Sequence, residues 1–398
     1  MRPLDALAKV CGDVRPGEPA EGVLGVEPAL VAAPENVAEA ADVMRVAAEN
    51  GLAVVPRGAE TRLDWGAPPE RCDLLVDTHR LDGLVEHAAG DLVAKVEAGL
   101  PMERLGEQLA ERGQRLALDA PLPGSTVGGT IATGAAGPLR SLYGTPRNLV
   151  IGLTIVRADG QIARSGGKVV KNVAGYDLGR LFSGSFGTLG LIVDATFRLH
   201  PVPEATAFVV CAVSGAEDAH DAVQTVLHSA VAPSAVEYIG PGTVAVLLEG
   251  VPDGVAARAR QIAELLGENA EIAAAAPEGW GQYPDGTTLI DISAPPSAFR
   301  DLVTLLGPDI AVTWSGSGQG HVGLPAESTP DEVAHVLGSL RDVLGRHRGG
   351  AVVRYTPEEV RGEIDLWGPV PALALMRRVK DQFDPDHRLS PGRFAGGI

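Results

Sequence analysis

Pro123-Gly124-Ser125-Thr126-Val127-Gly128-Gly129-Thr130-Ile131-Ala132-Thr133-Gly134 is the stretch on which the reading of this chain turns. It carries no charge, four glycines and four hydroxyl residues. Glycine lets a backbone come close to a ligand and expose its N–H groups. Successive N–H groups form concave nests that hold phosphate oxygens without a cationic side chain. Two stretches of the same kind flank it. Pro56-Arg57-Gly58-Ala59-Glu60-Thr61 follows the strand-like run Leu52-Ala53-Val54-Val55, and Gly184-Ser185-Phe186-Gly187-Thr188-Leu189-Gly190 leads into another strand. Ordinary turns and tight helix packing use glycine too, but three such loops in one domain point toward a pyrophosphate.

The uncharged window 120–139 is long enough to span a bilayer. Its five Gly, three Pro and four Ser/Thr suit a polar loop region instead. The N-terminal 21 residues are studded with charge and proline and show no apolar core, so no signal peptide is read.

Outside these loops the chain is that of a globular protein. It has 398 residues, room for two to three domains at about 150 residues each. Hydrophobic residues make up 45%, which excludes a mostly disordered chain. The formal charge of −18 argues against sequence-independent nucleic-acid binding and against direct adhesion to anionic lipid. Cys11, Cys72 and Cys211 are scattered, too few for an iron–sulfur cluster and unlike a disulfide scaffold. A reducing cytoplasm fits them.

The periodicities predict an α+β chain. A helix is expected from Pro34 to Asn50 and another over 101–112, with half-buried strands over 92–99 and 191–199. Asp159-Gly160 marks a hairpin between 150–157 and 161–164. Pro201 and Pro203 close this region. Beyond it, the order β-α-β-β-α-β is read twice, over about 208–275 and 288–354, as two ferredoxin-like units. The expected divisions are an N-terminal arm 1–23, a domain 24–203, a second domain 204–378 and a tail 379–398.

Two better-known phosphate motifs are missing. Gly167-Lys168 is followed by Val169 rather than Ser or Thr, so there is no Walker A loop. The single G-x-G-x-x-G, at Gly318, Gly320 and Gly323, runs into Leu324-Pro325 rather than a helix. It is not a dinucleotide fingerprint.

Taken together, the three loops resemble those of flavoproteins of the vanillyl-alcohol oxidase / p-cresol methylhydroxylase (PCMH) type. Within that family the chain is most similar to the FAD-binding E-type subunits of bacterial glycolate oxidases. The resemblance also rests on Gly166-Gly167-Lys168-Val169-Val170-Lys171-Asn172-Val173-Ala174-Gly175-Tyr176-Asp177-Leu178, and on Phe383-Asp384-Pro385 with Leu389-Ser390-Pro391-Gly392-Arg393-Phe394. It is strong over 24–203, weak in the second domain and returns at 379–398. It implies a two-subdomain PCMH-type FAD-binding domain followed by an α+β cap on the substrate side. Pro56, Arg57, Gly58, Ala59, Glu60 and Thr61 would hold the pyrophosphate with Pro123, Gly124, Ser125, Val127, Gly128 and Gly129. Ala132, Thr133, Tyr143, Gly144, Gly187, Gly190, Ile192 and Val193 would complete the FAD site. No histidine lies in 57–61, so noncovalent FAD is expected. Lys168 and Lys171 would lie near the flavin or form a solvated face.

In the second domain the chain departs from related 2-hydroxy-acid dehydrogenases, which resemble one another in a two-histidine, one-glutamate metal site. His321 matches the first histidine, but Val352-Val353-Arg354-Tyr355 stands about where a Glu-His-Gly is expected. No metal is expected, since one histidine cannot build such a site. His321 could still serve as base for a substrate hydroxyl, and Arg354 could clamp a carboxylate. A packing histidine and a solvated edge arginine are the commoner uses of such residues. The resemblance implies a cytoplasmic complex converting glycolate to glyoxylate, membrane-associated only through partners. Those partners would be an iron–sulfur subunit and a paralogous FAD-binding catalytic subunit, leaving this chain as an electron relay. The competing readings are a self-sufficient FAD-dependent 2-hydroxy-acid dehydrogenase and a structural subunit that has lost its flavin.

Overall fold

A computed structural model describes residues 2–119, 121–167 and 177–398. Lys168 and Lys171 lie outside them. The chain forms two compact units. One comprises Met1–Ala136, Gly144–Val202 and Val370–Ile398; the other comprises Gly137–Tyr143 and Pro203–Pro369.

The first unit contains two main sheets. The strands β1 (Val14–Pro16), β2 (Leu30–Ala32), β3 (Val54–Arg57) and β4 (Leu74–Asp77) form a sheet in the order β1-β2-β4-β3. The helix Val37–Glu49 connects β2 to β3 and starts where the Asn36 side chain accepts from the Glu39 N–H. That bond satisfies one of the amides a helix leaves open at its N-terminus. Its apolar face, with Ala40, Val43, Met44 and Ala47 fully buried, follows from the helical spacing. Residues 2–23 are not a separate arm. Ala6, Leu7 and Cys11 pack into the same core as that helix, and β1 pairs with β2.

The second sheet is antiparallel, with β5 (Leu84–Ala88), β6 (Val93–Glu97), β8 (Val150–Val156), β9 (Ile162–Gly166) and β10 (Leu191–Arg198) in the order β5-β6-β10-β8-β9. The short strands β7 (Gln114–Arg115) and β11 (His200–Pro201) pair with each other. Asp159 and Gly160 form the β8–β9 turn, with Gly160 at a positive φ of 81°. Alternation along β6 and β10 suggests half-buried strands; β6 is one, with Lys95 and Glu97 partly exposed, whereas β10 is buried on two faces. Asp194 and Thr196 are as enclosed as their apolar neighbours. A register shift between Ile192 and Asp194 sends Leu191 and Val193 into one core, and Ile192, Ala195 and Phe197 into the other. The buried Asp194 carboxylate is held by Lys95, 3.1 Å away on β6.

The second unit is built on one eight-stranded antiparallel sheet. Its strands are β12 (Ala205–Ala212), β13 (Ala235–Gly240), β14 (Thr243–Gly250), β15 (Ala270–Ala273), β16 (Thr288–Ser293), β17 (Ala311–Ser315), β18 (Gln319–Leu324) and β19 (Gly350–Tyr355). The order β15-β12-β14-β13-β17-β18-β16-β19 is two ferredoxin-like sheets joined edge to edge through β13 and β17. Each half carries two helices, Ala216–Leu227 and Pro252–Leu266, then Phe299–Leu306 and Pro330–Arg346. Gly318 sits in the β17–β18 hairpin, not at the start of a helix.

After the second unit the chain returns to the first at Val370. The helix Leu373–Phe383 sets Phe383 edge-on against Phe182, with ring centroids 5.6 Å apart. Among the described residues, no helix is long and apolar enough to cross a membrane.

Candidate functional site

Where β3 ends, the chain turns into a cleft within the first unit. Pro56, Arg57, Gly58, Ala59, Glu60 and Thr61 all line it. A Cβ on Gly58 would stand 2.4 Å from Thr126 Oγ1, so only glycine brings the loop this close to the next one. Glu60 adopts a positive φ of 64°. Among the described residues, the main-chain N–H groups of Gly58, Ala59, Glu60 and Thr61 find no protein acceptor. Four adjacent open amides form the kind of nest that binds an anion.

Arg57 anchors this loop. Its guanidinium donates to Asp77 Oδ2 from Nε (2.9 Å) and Nη2 (2.6 Å), and to Glu21 Oε1 from Nη1 (2.8 Å). Glu60 lies 3.0 Å from Nη1. With the side chain 6% exposed, its fork is committed to carboxylates, and its charge holds the loop in place. Glu21 is in turn bonded by Arg15 at 2.6 and 2.7 Å. The Arg15 hydrogen bond, aided by Arg57 and opposed by burial, lowers the Glu21 pKa to about 2.

This carboxyl therefore binds a proton less readily folded than unfolded. Its stabilisation is present above about pH 4.5 and fades as the pH falls toward 2. Changing Glu21 to Gln is expected to lower stability at neutral pH and flatten the acid limb between those values. Urea unfolding at stepped pH measures both.

The second glycine-rich stretch forms the opposite wall. Thr126 caps the helix Val127–Thr133 by accepting from the Gly129 N–H at 3.2 Å. Gly128, Gly129, Ala132 and Thr133 line the cleft, together with Thr126. The helix amides are already used. Val127 N–H bonds to Leu100 and Gly128 N–H to Ala98, at 2.9 and 2.7 Å. The helix start thus offers the cleft little, and the first loop supplies its longest run of open donors.

Four of the residues expected at the site from the second stretch do not line the cleft. Pro123 and Gly124 are exposed, with the Gly124 N–H held by Glu103. Val127 is buried in the core. Ser125 acts one step behind the wall, accepting from Arg62 Nη1 at 2.8 Å and lying 3.3 Å from Thr61 Oγ1. A Cβ on Gly128 would stand 2.8 Å from Ala98 Cβ. Gly128→Val is expected to push this helix off β6, at a cost of about 1–3 kcal/mol, and to deform the cleft. Thermal melting and ligand titration together read that effect.

The third stretch supplies Phe186, Gly187 and Gly190, and β10 supplies Leu191 and Ile192. Gly187 needs its positive φ of 72°, and a Cβ there would press on Pro56 at 3.1 Å. Val193 faces the core, fully buried. Gly144 does not line the cleft, and Tyr143 belongs to the second unit, where its hydroxyl donates to Glu249 at 3.2 Å. The lining also includes residues that glycine patterns do not reveal. Arg62 stacks over Trp65 at 5.4 Å, and Arg393 donates to the Leu63 and Trp65 carbonyls at 2.7 Å.

A separate cluster forms in the second unit. Asp291 on β16 stands directly across from His321 on β18, and its Oδ1 lies 2.8 Å from His321 Nδ1. Its other oxygen accepts from Arg354 Nε. The pairing of β16 with β19 skips at that point. Leu289 faces Tyr355 while Ile290 faces Val353, which leaves Arg354 as the extra residue of a β-bulge. Bulges of this kind re-aim a side chain. Burial pushes the Asp291 pKa up, but the charges of Arg354 and His321 outweigh it and hold the carboxyl well below the usual range. Arg354 is thus an ion-pair partner of Asp291 rather than an isolated fork or a solvated edge charge. His321 Nε2 meets no protein partner among the described residues. Tyr283 packs edge-on against the imidazole at 4.7 Å. Among the described residues, no group of three or more His, Cys, Asp or Glu is placed to hold a metal.

The cleft fits a dinucleotide phosphate. Besides the open amides, Ser390 Oγ beside Pro56 and Gly187 is buried without a hydrogen-bond partner. The fold and cleft define a flavin-binding protein. A family profile described as FAD binding domain matches residues 28–166, and one described as FAD linked oxidases, C-terminal domain, matches 367–394. The D-2-hydroxyglutarate dehydrogenase of Xanthomonas citri is 30% identical, over 92% of this chain and 89% of its own. A glycolate oxidase subunit of Bacillus subtilis is 32% identical over 59% of this chain and 50% of its own. The solved structure of a chitooligosaccharide oxidase superposes with a TM-score of 0.68 at 15% identity, covering 96% of this chain and 97% of that one. The chain belongs to the FAD-linked oxidoreductases that act on CH–OH groups, among members of the 2-hydroxy-acid dehydrogenase kind, and FAD is its cofactor.

Proposed function

We propose that this chain oxidises a small 2-hydroxy acid, glycolate first among them, as the FAD-binding subunit of a complex that passes electrons to an iron–sulfur subunit. The cysteines carry the partner half of this reading. Cys11, Cys72 and Cys211 are free and buried. Burial raises all three thiols, Cys72 to about 12. Such thiols neither ligate a cluster nor cycle with one another, which leaves the flavin as the chain's redox centre and supports an electron-accepting partner. A second, paralogous flavin subunit and attachment to the inner membrane face through these partners belong to the same proposal.

The substrate half rests on the Asp291–His321 pair. Bound FAD, held without a covalent link, supplies the acceptor for the hydride leaving the substrate α-carbon. His321 takes the hydroxyl proton on Nε2, because Nδ1–H is committed to Asp291. Asp291 stays charged and steadies the imidazolium that results. Arg354 compensates the Asp291 charge and fixes its orientation. This arrangement favours a chain that completes its own substrate half-reaction over a pure electron relay.

The test is an anaerobic visible titration of the FAD-reconstituted chain. Glycolate is expected to bleach the flavin band, with D-lactate and D-2-hydroxyglutarate run in parallel. Bound yellow flavin that no 2-hydroxy acid bleaches would sink the substrate half and leave the relay. Acid precipitation should release all the flavin.

A further inference from the structure

Among the described residues, Lys380 is the most deeply buried cation of the first unit, with 0% of the residue exposed. Its Nζ makes three hydrogen bonds, to Asp384 Oδ2 at 2.7 Å and to the Thr188 and Leu389 carbonyls at 2.8 Å each. Asp384 is equally buried, and its Oδ2 also accepts from the Leu389 N–H at 2.7 Å.

The two carbonyls belong to two different segments next to the cleft. Thr188 lies between Gly187 and Gly190, both of which line it. Leu389 bridges Val54 at the start of β3. Around that bridge, Val54 N–H donates to Arg388 and Ser390 N–H donates to Val54, both at 2.8 Å. β3 then carries directly into the loop with the open amides. The two walls touch where Gly187 meets Pro56. One ammonium therefore ties the third glycine-rich stretch to the strand that presents the first.

We propose that Lys380 is a positioning residue for FAD, setting the spacing of the cleft walls through its bonds to Thr188 and Leu389. An apolar side chain could fill its volume but could not hold two carbonyls at once. Burying an ammonium is costly, which opposes a lysine placed here for packing alone. Asp384 offsets that cost, while the carbonyl bonds carry the positioning.

Three variants separate position from stability, using FAD affinity by flavin-fluorescence titration and melting of the apoprotein. Lys380→Met leaves Asp384 buried and unpaired, and is expected to lower the melting temperature and weaken FAD at least about tenfold. Lys380→Met with Asp384→Leu removes both charges. Melting should recover toward the parent while FAD affinity stays about tenfold weaker. Asp384→Asn keeps the ammonium on both carbonyls. It should lose stability yet bind FAD within about threefold of the parent. If affinity returns with stability in the double variant, or falls tenfold in Asp384→Asn, Lys380 is purely structural and the proposal is overturned.

Discussion

Replacing Arg57 by methionine is expected to destabilise the first unit by about 3–5 kcal/mol, the usual consequence of removing one partner from a buried charge pair. Asp77, 10% exposed at the side chain, would lose its arginine, and Glu21, 13% exposed, would keep only Arg15. Methionine matches the aliphatic stem, so the loss reports the charge and the hydrogen bonds rather than a cavity. The effect on FAD should be larger than the stability change alone. Arg57 fixes the turn whose next four residues carry the open amides. Urea unfolding of the apoprotein and FAD titration of whatever remains folded measure the two parts. A stability change below about 1 kcal/mol would place the Arg57 cluster among ordinary surface pairs.

The second large effect is expected at His321. Loss of a positioned general base typically costs about 10²–10⁴-fold in rate. His321→Gln should slow anaerobic bleaching by glycolate by that amount while leaving FAD affinity unchanged. Asp291→Asn should fall between the two, because the imidazole remains but Nδ1–H loses its ionised acceptor. The limiting bleaching rate should drop more than the substrate affinity. Equal bleaching by His321→Gln and the parent would remove the histidine from the mechanism and return it to the role of a packing residue against Tyr283.

Much of this molecule can be read before it folds. The three glycine-rich stretches mark the cleft because only glycine admits a loop 2.4 Å from where Thr126 Oγ1 stands, or a positive φ against Pro56. The repeated β-α-β-β-α-β order survives into the structure because apolar periodicity and turn residues are local properties. Burial on β10 was less legible. Period-two alternation assumes one wet face, whereas this strand lies in mid-sheet between two cores and shifts register at Ile192. The aspartate in the otherwise apolar run Thr-Leu-Ile-Asp-Ile-Ser of β16 was the available signal for the second-unit cluster. Nothing nearby in the chain indicates what it meets.

Alone, then, the order of residues determined the local chemistry: flexible backbone at three loops, strands and helices in a countable sequence, no cluster-forming cysteines, a single histidine where relatives are expected to carry two. The tertiary structure decided the partners. Asp291 meets His321 across 30 residues and Arg354 across 63. Arg57 joins Asp77 across 20 and Glu21 across 36, and Lys380 reaches Thr188 across 192. Hydrogen bonds and ion pairs depend on ångström separations that only sheet register and helix packing set. The same folding determines which glycine-loop amides stay open for FAD and which are taken by the protein itself.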